Sequence, residues 1–272
     1  MPITRIITAV CLLAAFIPAL FLASNQFWAF GMLLVSLLAL DEWNKLLGWN
    51  CKASFLWVAV SAVLGLWLID AIETQGFHWI FFQSLSVFLV VSLFWVFIVP
   101  LCLARRYLPE SRIMMTLLGM VLIGGLWLAV ICAKGADPWL LLALLSTVWI
   151  ADTSAYIAGR NFGKHKLAPA LSPGKTWEGV LGALLGVTIF TIILKFGFGI
   201  DNWLIFPALW LITAVSIVGD LFESLLKRRA DVKDSGDILP GHGGVLDRLD
   251  AIIPSVPLAI LLIYTYNYFQ VF

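Results

Sequence analysis

The sequence is short of charge. Asp, Glu, Lys and Arg make up only 12% of its 272 residues, against about 25% in a soluble domain. So few charges cannot cover the surface of a soluble globule of this size, which excludes one. Cysteine is sparse too. Cys11, Cys51, Cys102 and Cys132 are scattered through or beside apolar stretches, with no Cys-x-x-Cys pair and no Cys/His ligand spacing. They read as small hydrophobes in helices. The net charge of +1 names no partner and gives no reason to expect nucleic acid. No repeat of fixed period and no low-complexity tract occurs.

What is abundant is apolar sequence, 62% of the chain. The runs reach about 20 residues, enough to cross a hydrocarbon core of about 30 Å at 1.5 Å per residue. Polar breaks divide them into nine expected spans, at roughly 5–24, 26–41, 55–73, 78–102, 112–133, 137–157, 177–198, 203–222 and 251–270. They do not alternate with period two as barrel strands do, so all should be helices, which satisfy their own backbone in lipid. The expected fold is an all-α polytopic membrane protein of about nine transmembrane helices with a polar site on the cytoplasmic face. Residues 1–24, with Arg5 before an apolar run, have the outline of a secretory signal but read as an uncleaved first span. Two regions are expected: 1–136 with about five spans, and 137–272 with about four spans and two polar loops.

Basic residues orient the spans. With the amino terminus in the cytoplasm, every one of the 17 Lys and Arg residues except Lys134 and Lys195 falls on the cytoplasmic side. The carboxyl terminus then lies outside. The first half reads as almost featureless chemically. The polar chemistry sits in two loops, about 158–176 and 223–250. Two spans and a short turn separate them, so both lie on the cytoplasmic side and can build one site.

Around the second loop, Asp220, Glu223, Ser224 and Lys227 follow at i, i+3, i+4 and i+7, one polar stripe on a helix. Asp220 lies at or inside the apolar boundary, where an ionisable residue is expensive and suggests function. Lys227, Arg228, Arg229 and Lys233 follow, then Pro240-Gly241-His242-Gly243-Gly244, then Asp247, Arg248 and Asp250. Asp247 and Asp250 can face one point. Gly243 and Gly244 permit close approach to a ligand. Carboxylates, bases and a glycine-rich turn together suit a polyphosphate with Mg²⁺, which takes one or two carboxylates plus phosphate oxygens. Bases in a cytoplasmic loop are otherwise explained by orientation. Acids are not, so Asp220, Asp247 and Asp250 require another explanation.

The first loop begins as Asp152-Thr153-Ser154-Ala155-Tyr156 ends the sixth span, and closes on Ser172-Pro173-Gly174-Lys175-Thr176-Trp177-Glu178-Gly179. Lys175-Thr176 is not a Walker A motif, because Pro169 stands where its first glycine would be. Ser172, Lys175 and Thr176 at a helix start can still serve phosphate. An ordinary Ser/Thr cap with Glu178 in the first turn explains the spacing equally well.

The string S-x-L-K-R-x4-K-D-x-G-x2-L-P-x-H-G-G-V-x-D-R-L-D, from Ser224 to Asp250, resembles the signature of the phosphatidate cytidylyltransferase (CDP-diacylglycerol synthase) family. Residues 152–179 resemble that family's other characteristic segment. The resemblance implies a bacterial-type inner-membrane nucleotidyltransferase of phospholipid biosynthesis. CTP and phosphatidate would be its partners, with a homodimer open to it, and its products would be CDP-diacylglycerol and pyrophosphate. It also implies a divalent metal cofactor, Mg²⁺, with a second cation open. On residue types, Asp220 and Asp247 are the expected principal ligands and Asp250 and Glu223 the secondary ones. Lys227 and Arg248 join Asp220 and Asp247 as catalytic candidates. Ser172, Lys175, Thr176, Ser224, Arg228, Lys233, His242, Gly243 and Gly244 are candidates for substrate binding. A transporter would instead place its polar residues at the midplane of broken spans. A CTP-dependent kinase of a polyprenol would release CDP. A membrane scaffold leaves the ordered acids and bases unexplained.

Overall fold

A computed structural model describes residues 2–200, 202–238, 241 and 243–271, leaving aside the side chains of 2–7, 9, 77, 78 and 268–271. The chain is an all-α polytopic membrane protein. Its helices are α1 (Pro2–Leu22), α2 (Asn25–Leu46), α3 (Cys51–Gln75), α4 (Phe77–Leu93), α5 (Val99–Arg105), α6 (Arg112–Ala136), α7 (Pro138–Phe162), α8 (Trp177–Gly197), α9 (Ile205–Arg229), α10 (Leu246–Leu249) and α11 (Ile252–Val271). One π-helical stretch, Phe94–Ile98, joins α4 to α5. Among the described residues, seven of these helical segments are long and apolar enough to cross a membrane. Large side chains such as Phe55, Leu56, Trp67, Leu181 and Leu185 stand exposed along them, as lipid-facing surface would.

The polar breaks in the sequence are helix starts. Ser24, Asn50, Ser111, Asp137 and Thr176 each accept a hydrogen bond from a backbone N–H in the first turn that follows. Such caps satisfy donors that a helix cannot pair internally. Helix α6 is the most buried of the apolar helices, packed against α2, α4, α7 and α11. Trp43 of α2 donates to the Met115 carbonyl, and Trp127 of α6 to the Ala29 carbonyl. Phe222 of α9 packs on Trp43, Phe94 and Trp95. That aromatic cluster fixes α9 against the first half of the chain, immediately beside Glu223.

Helices α7 and α8 lie in close contact. Gly182 and Gly186 leave room for Ala158 and Ser154, where any Cβ would collide, a small-residue interface of the kind membrane helices use. Between these helices the first loop folds into an antiparallel hairpin, β1 (Lys166–Ala168) and β2 (Ser172–Thr176), with Lys166 opposite Thr176. The two lysines assigned to the far side are both structural. Lys134 donates to the Ala23 carbonyl and Asn25 Oδ1, and Lys195 lies over the Trp203 ring.

Candidate active site

Helix α9 runs past the expected end of the eighth span, to Arg229, so the polar stripe is helical throughout. Ser224 Oγ donates to Asp220 Oδ1 at 3.5 Å, and Lys227 Nζ lies 2.6 Å from Glu223 Oε2. Lys227 also reaches Asp247 Oδ1 at 2.6 Å. One ammonium thus bridges α9 and the short helix α10. The other oxygen of Asp247 accepts backbone N–H groups from Ser235 (2.9 Å) and Gly244 (2.8 Å). Asp247 therefore ties both ends of the 235–244 segment to α9. Three of its roughly four lone-pair sites are engaged by these contacts, which leaves about one for a metal ion.

The opposite wall comes from the hairpin. Lys175 at the end of β2 pairs with Asp220 at 2.6 Å, their side chains 23% and 35% exposed. Thr176 beside it is buried and its hydroxyl accepts from Gly179 N, a helix cap. Glu178 turns back to the backbone N–H and ring of His165 instead of to the cap. Ser172 pairs opposite Ala168 in the hairpin. Asp250 sits where α10 passes into α11, accepts from Ala251 N, and lies within electrostatic reach of Asp220, Lys175 and Lys227. Arg248 acts electrostatically on the same site through Asp152. The expected residues that converge are thus Lys175, Asp220, Glu223, Ser224, Lys227, Asp247, Arg248 and Asp250.

Others do not converge. Arg228 points to the hairpin tip, donating to the Leu171 carbonyl at 3.4 Å, and Lys233 is exposed on the loop. Gly243 and Gly244, by contrast, lie against Asp247: Gly243, with a left-handed φ of 81°, leaves no room for a Cβ beside its carboxylate, and Gly244 donates its N–H to it. His242 lies outside the described residues.

Two acids escaped the reading of site residues from sequence. Asp152 of α7 interacts electrostatically with Asp220, Lys175 and Arg248. It stands ten residues before the end of its helix, about 15 Å along the axis. The second is Glu42, and it corrects the view that the first half is chemically featureless. Its side chain, on α2, is 1% exposed. Its carboxylate accepts from Ser235 Oγ (3.0 Å), Val245 N (3.0 Å) and Leu246 N (2.7 Å). Gly236 and Gly244 lie against it so closely that neither has room for a Cβ. Glu42 and Asp247 thus grip the same two chain segments. The signal was available in both cases: an acid at or within an apolar run, the criterion applied to Asp220.

The donor set fits a divalent cation. Among the described residues no three acidic, histidine or cysteine side chains already form a metal cage. Mg²⁺ does not need one, since it takes one or two carboxylates and completes its shell with phosphate oxygens and water. Asp220 and Asp250, within electrostatic reach of each other, would supply such a pair. Glu223 Oε1, buried and without a partner, is a further acceptor at the site's edge. Oxygen donors without thiolate or imidazole suit Mg²⁺ rather than zinc.

A profile of the Cytidylyltransferase family matches residues 3–266. The phosphatidate cytidylyltransferase of Haemophilus influenzae is 32% identical over 98% of both chains. That of Pseudomonas aeruginosa is 34% identical over 96% of both. That of Staphylococcus haemolyticus is 34% identical over 95% of this chain and 98% of its own.

Proposed function

The chain belongs to the cytidylyltransferase family, and on that premise we propose how it joins CTP to phosphatidate to give CDP-diacylglycerol and pyrophosphate. A phosphatidate oxygen attacks the α-phosphorus of CTP. The new P–O bond forms as the bond to the β-phosphate bridging oxygen breaks, and pyrophosphate leaves with that electron pair. The nucleophile is already ionised near neutral pH, so no strong general base is needed. The task is to bring two anions together and to stabilise the leaving group, which is positioning and electrostatics. Mg²⁺ bound by Asp220 and Asp250 would supply charge neutralisation across the phosphates. Lys175 and Arg248 are set to neutralise phosphate charge from two sides. Lys227 holds Glu223 and Asp247 in register, and Ser224 orients Asp220. The glycine turn at 243–244 and His242 are assigned to the nucleotide side.

The observation that carries this reading is the meeting of Lys175 with Asp220, which joins the two loops into one site. Purified protein with CTP, Mg²⁺ and phosphatidate should release pyrophosphate and CDP-diacylglycerol in equal amounts. Release of CDP with phosphorylation of an added polyprenol would sink the reading in favour of the kinase.

We also propose nine spans, with the amino terminus and the site cytoplasmic. Cys51 is exposed at the start of α3, on the side assigned to the cytoplasm. An impermeant maleimide should label it in inverted vesicles and not in intact cells. Labelling in intact cells would reverse the orientation.

A further inference from the structure

A second cationic pocket lies on another side of α9. Its volume is about 490 Å³, and it is lined by Arg106, Tyr107, Leu171, Leu225, Arg228 and Arg229 among others. Its walls come from three places. Arg106 and Tyr107 follow α5, Leu171 is the tip of the β1–β2 hairpin, and Arg228 and Arg229 end α9. Two bonds close it: Arg229 donates to the Pro109 carbonyl at 2.6 Å and Arg228 to the Leu171 carbonyl at 3.4 Å. Each guanidinium has five N–H donors in a fork suited to phosphate, so most remain available. Glu110 lines the pocket too, but none of the described ion pairs joins it to these arginines. Arg106 also holds a left-handed φ of 50°, a conformation uncommon for a residue with a side chain.

We propose that this pocket binds the phosphate of an anionic membrane phospholipid. Three features favour a lipid over a free anion. The arginines terminate two apolar helices, which places them at the membrane interface. Tyr107, 58% exposed, is a residue type favoured at that depth. Leu171 and Leu225 give one wall an apolar surface. Basic pockets between spanning helices on the cytoplasmic side take anionic headgroups by this combination. The site is separate from the transfer site, since Lys175 and Asp220 lie elsewhere. It is nevertheless linked to it: Leu171 is one residue before β2, the strand that carries Lys175. A phosphate held between Arg106, Arg228 and Arg229 ties the hairpin tip to the ends of α5 and α9.

The test is native mass spectrometry of the full chain in detergent, with phosphatidylglycerol or phosphatidylcholine added. Amide exchange over residues 166–176 is followed alongside. Both readouts are independent of transfer. The wild type should retain phosphatidylglycerol in preference to phosphatidylcholine and show slowed hairpin exchange when it is bound. Arg106→Gln with Arg229→Gln should weaken retention by about thirtyfold, two interfacial cations at the usual strength, and abolish the slowing. Arg106→Gln alone leaves the Arg229–Pro109 bond in place and should weaken retention about fivefold. Equal retention by wild type and variants, or equal retention of the zwitterionic lipid, overturns the proposal. So does slowing of the hairpin by inorganic phosphate alone as strong as that by phosphatidylglycerol, which would make the ligand a soluble anion.

Discussion

Asp220→Asn should lower CTP-dependent transfer by about a thousandfold, the scale on which loss of one preorganised electrostatic partner lowers kcat, while the protein still folds in detergent. Asparagine keeps the volume and the acceptor oxygen that Ser224 uses. It removes the charge facing Lys175 and the carboxylate offered to Mg²⁺. Asp220 is partly exposed, so the loss of its charge costs little stability. Asp247→Asn makes the contrast. There an amide NH₂ must face either the Lys227 ammonium or the two backbone donors from Ser235 and Gly244. Donor would meet donor, so this variant should lose both activity and melting temperature. Parallel assays of pyrophosphate release and thermal unfolding separate the two. Near-normal transfer by Asp220→Asn would remove that residue from the proposed metal site, and unchanged melting of Asp247→Asn would remove Asp247 from its anchoring role.

The fold was legible because lipid makes the rule simple. Long apolar runs must be helices, and the cap residues Ser24, Asn50, Ser111 and Asp137 mark where several begin. Boundaries were less legible at the helix ends that carry polar residues. Helices α2, α7 and α9 continue beyond the apolar runs, and in α2 and α9 buried polar residues such as Glu42, Asn44 and Glu223, rather than lipid, support the last turns. The site was legible where spacing lies within one element: the stripe from Asp220 to Lys227 needs only helical geometry. Contacts between distant segments were not. Nothing in the local pattern says that Lys175 meets Asp220, or that Arg228 turns to the hairpin tip. Lys227 illustrates the same limit. A base beside two acids reads equally well as a phosphate ligand or as a bridge, and only the fold brings Asp247 within 2.6 Å of it.

Glu42 is the strongest case of such a distant contact, and its replacement is the second large effect expected. In Glu42→Gln one oxygen remains to accept, and the amide NH₂ confronts the donors that the other oxygen served. Ser235 Oγ, Val245 N and Leu246 N converge there, in a space that Gly236 and Gly244 leave no room to rearrange. Unpaired buried donors cost about 1–3 kcal/mol each, so a loss of about 3 kcal/mol is expected, read as a fall in thermal unfolding in detergent. Ser235→Ala removes one donor and keeps the backbone N–H that serves Asp247, so it should cost about a third as much. The functional consequence follows from geometry. With the Glu42 grip weakened, the 235–246 segment relies more heavily on its bonds to Asp247, and Lys227, which shares Asp247, is held less firmly. Activity at a temperature where Glu42→Gln is fully folded should therefore fall chiefly in kcat. Amide exchange should quicken in 235–246 and not in α6. Full activity together with unchanged exchange would show that the signature segment holds its shape without the first half of the chain.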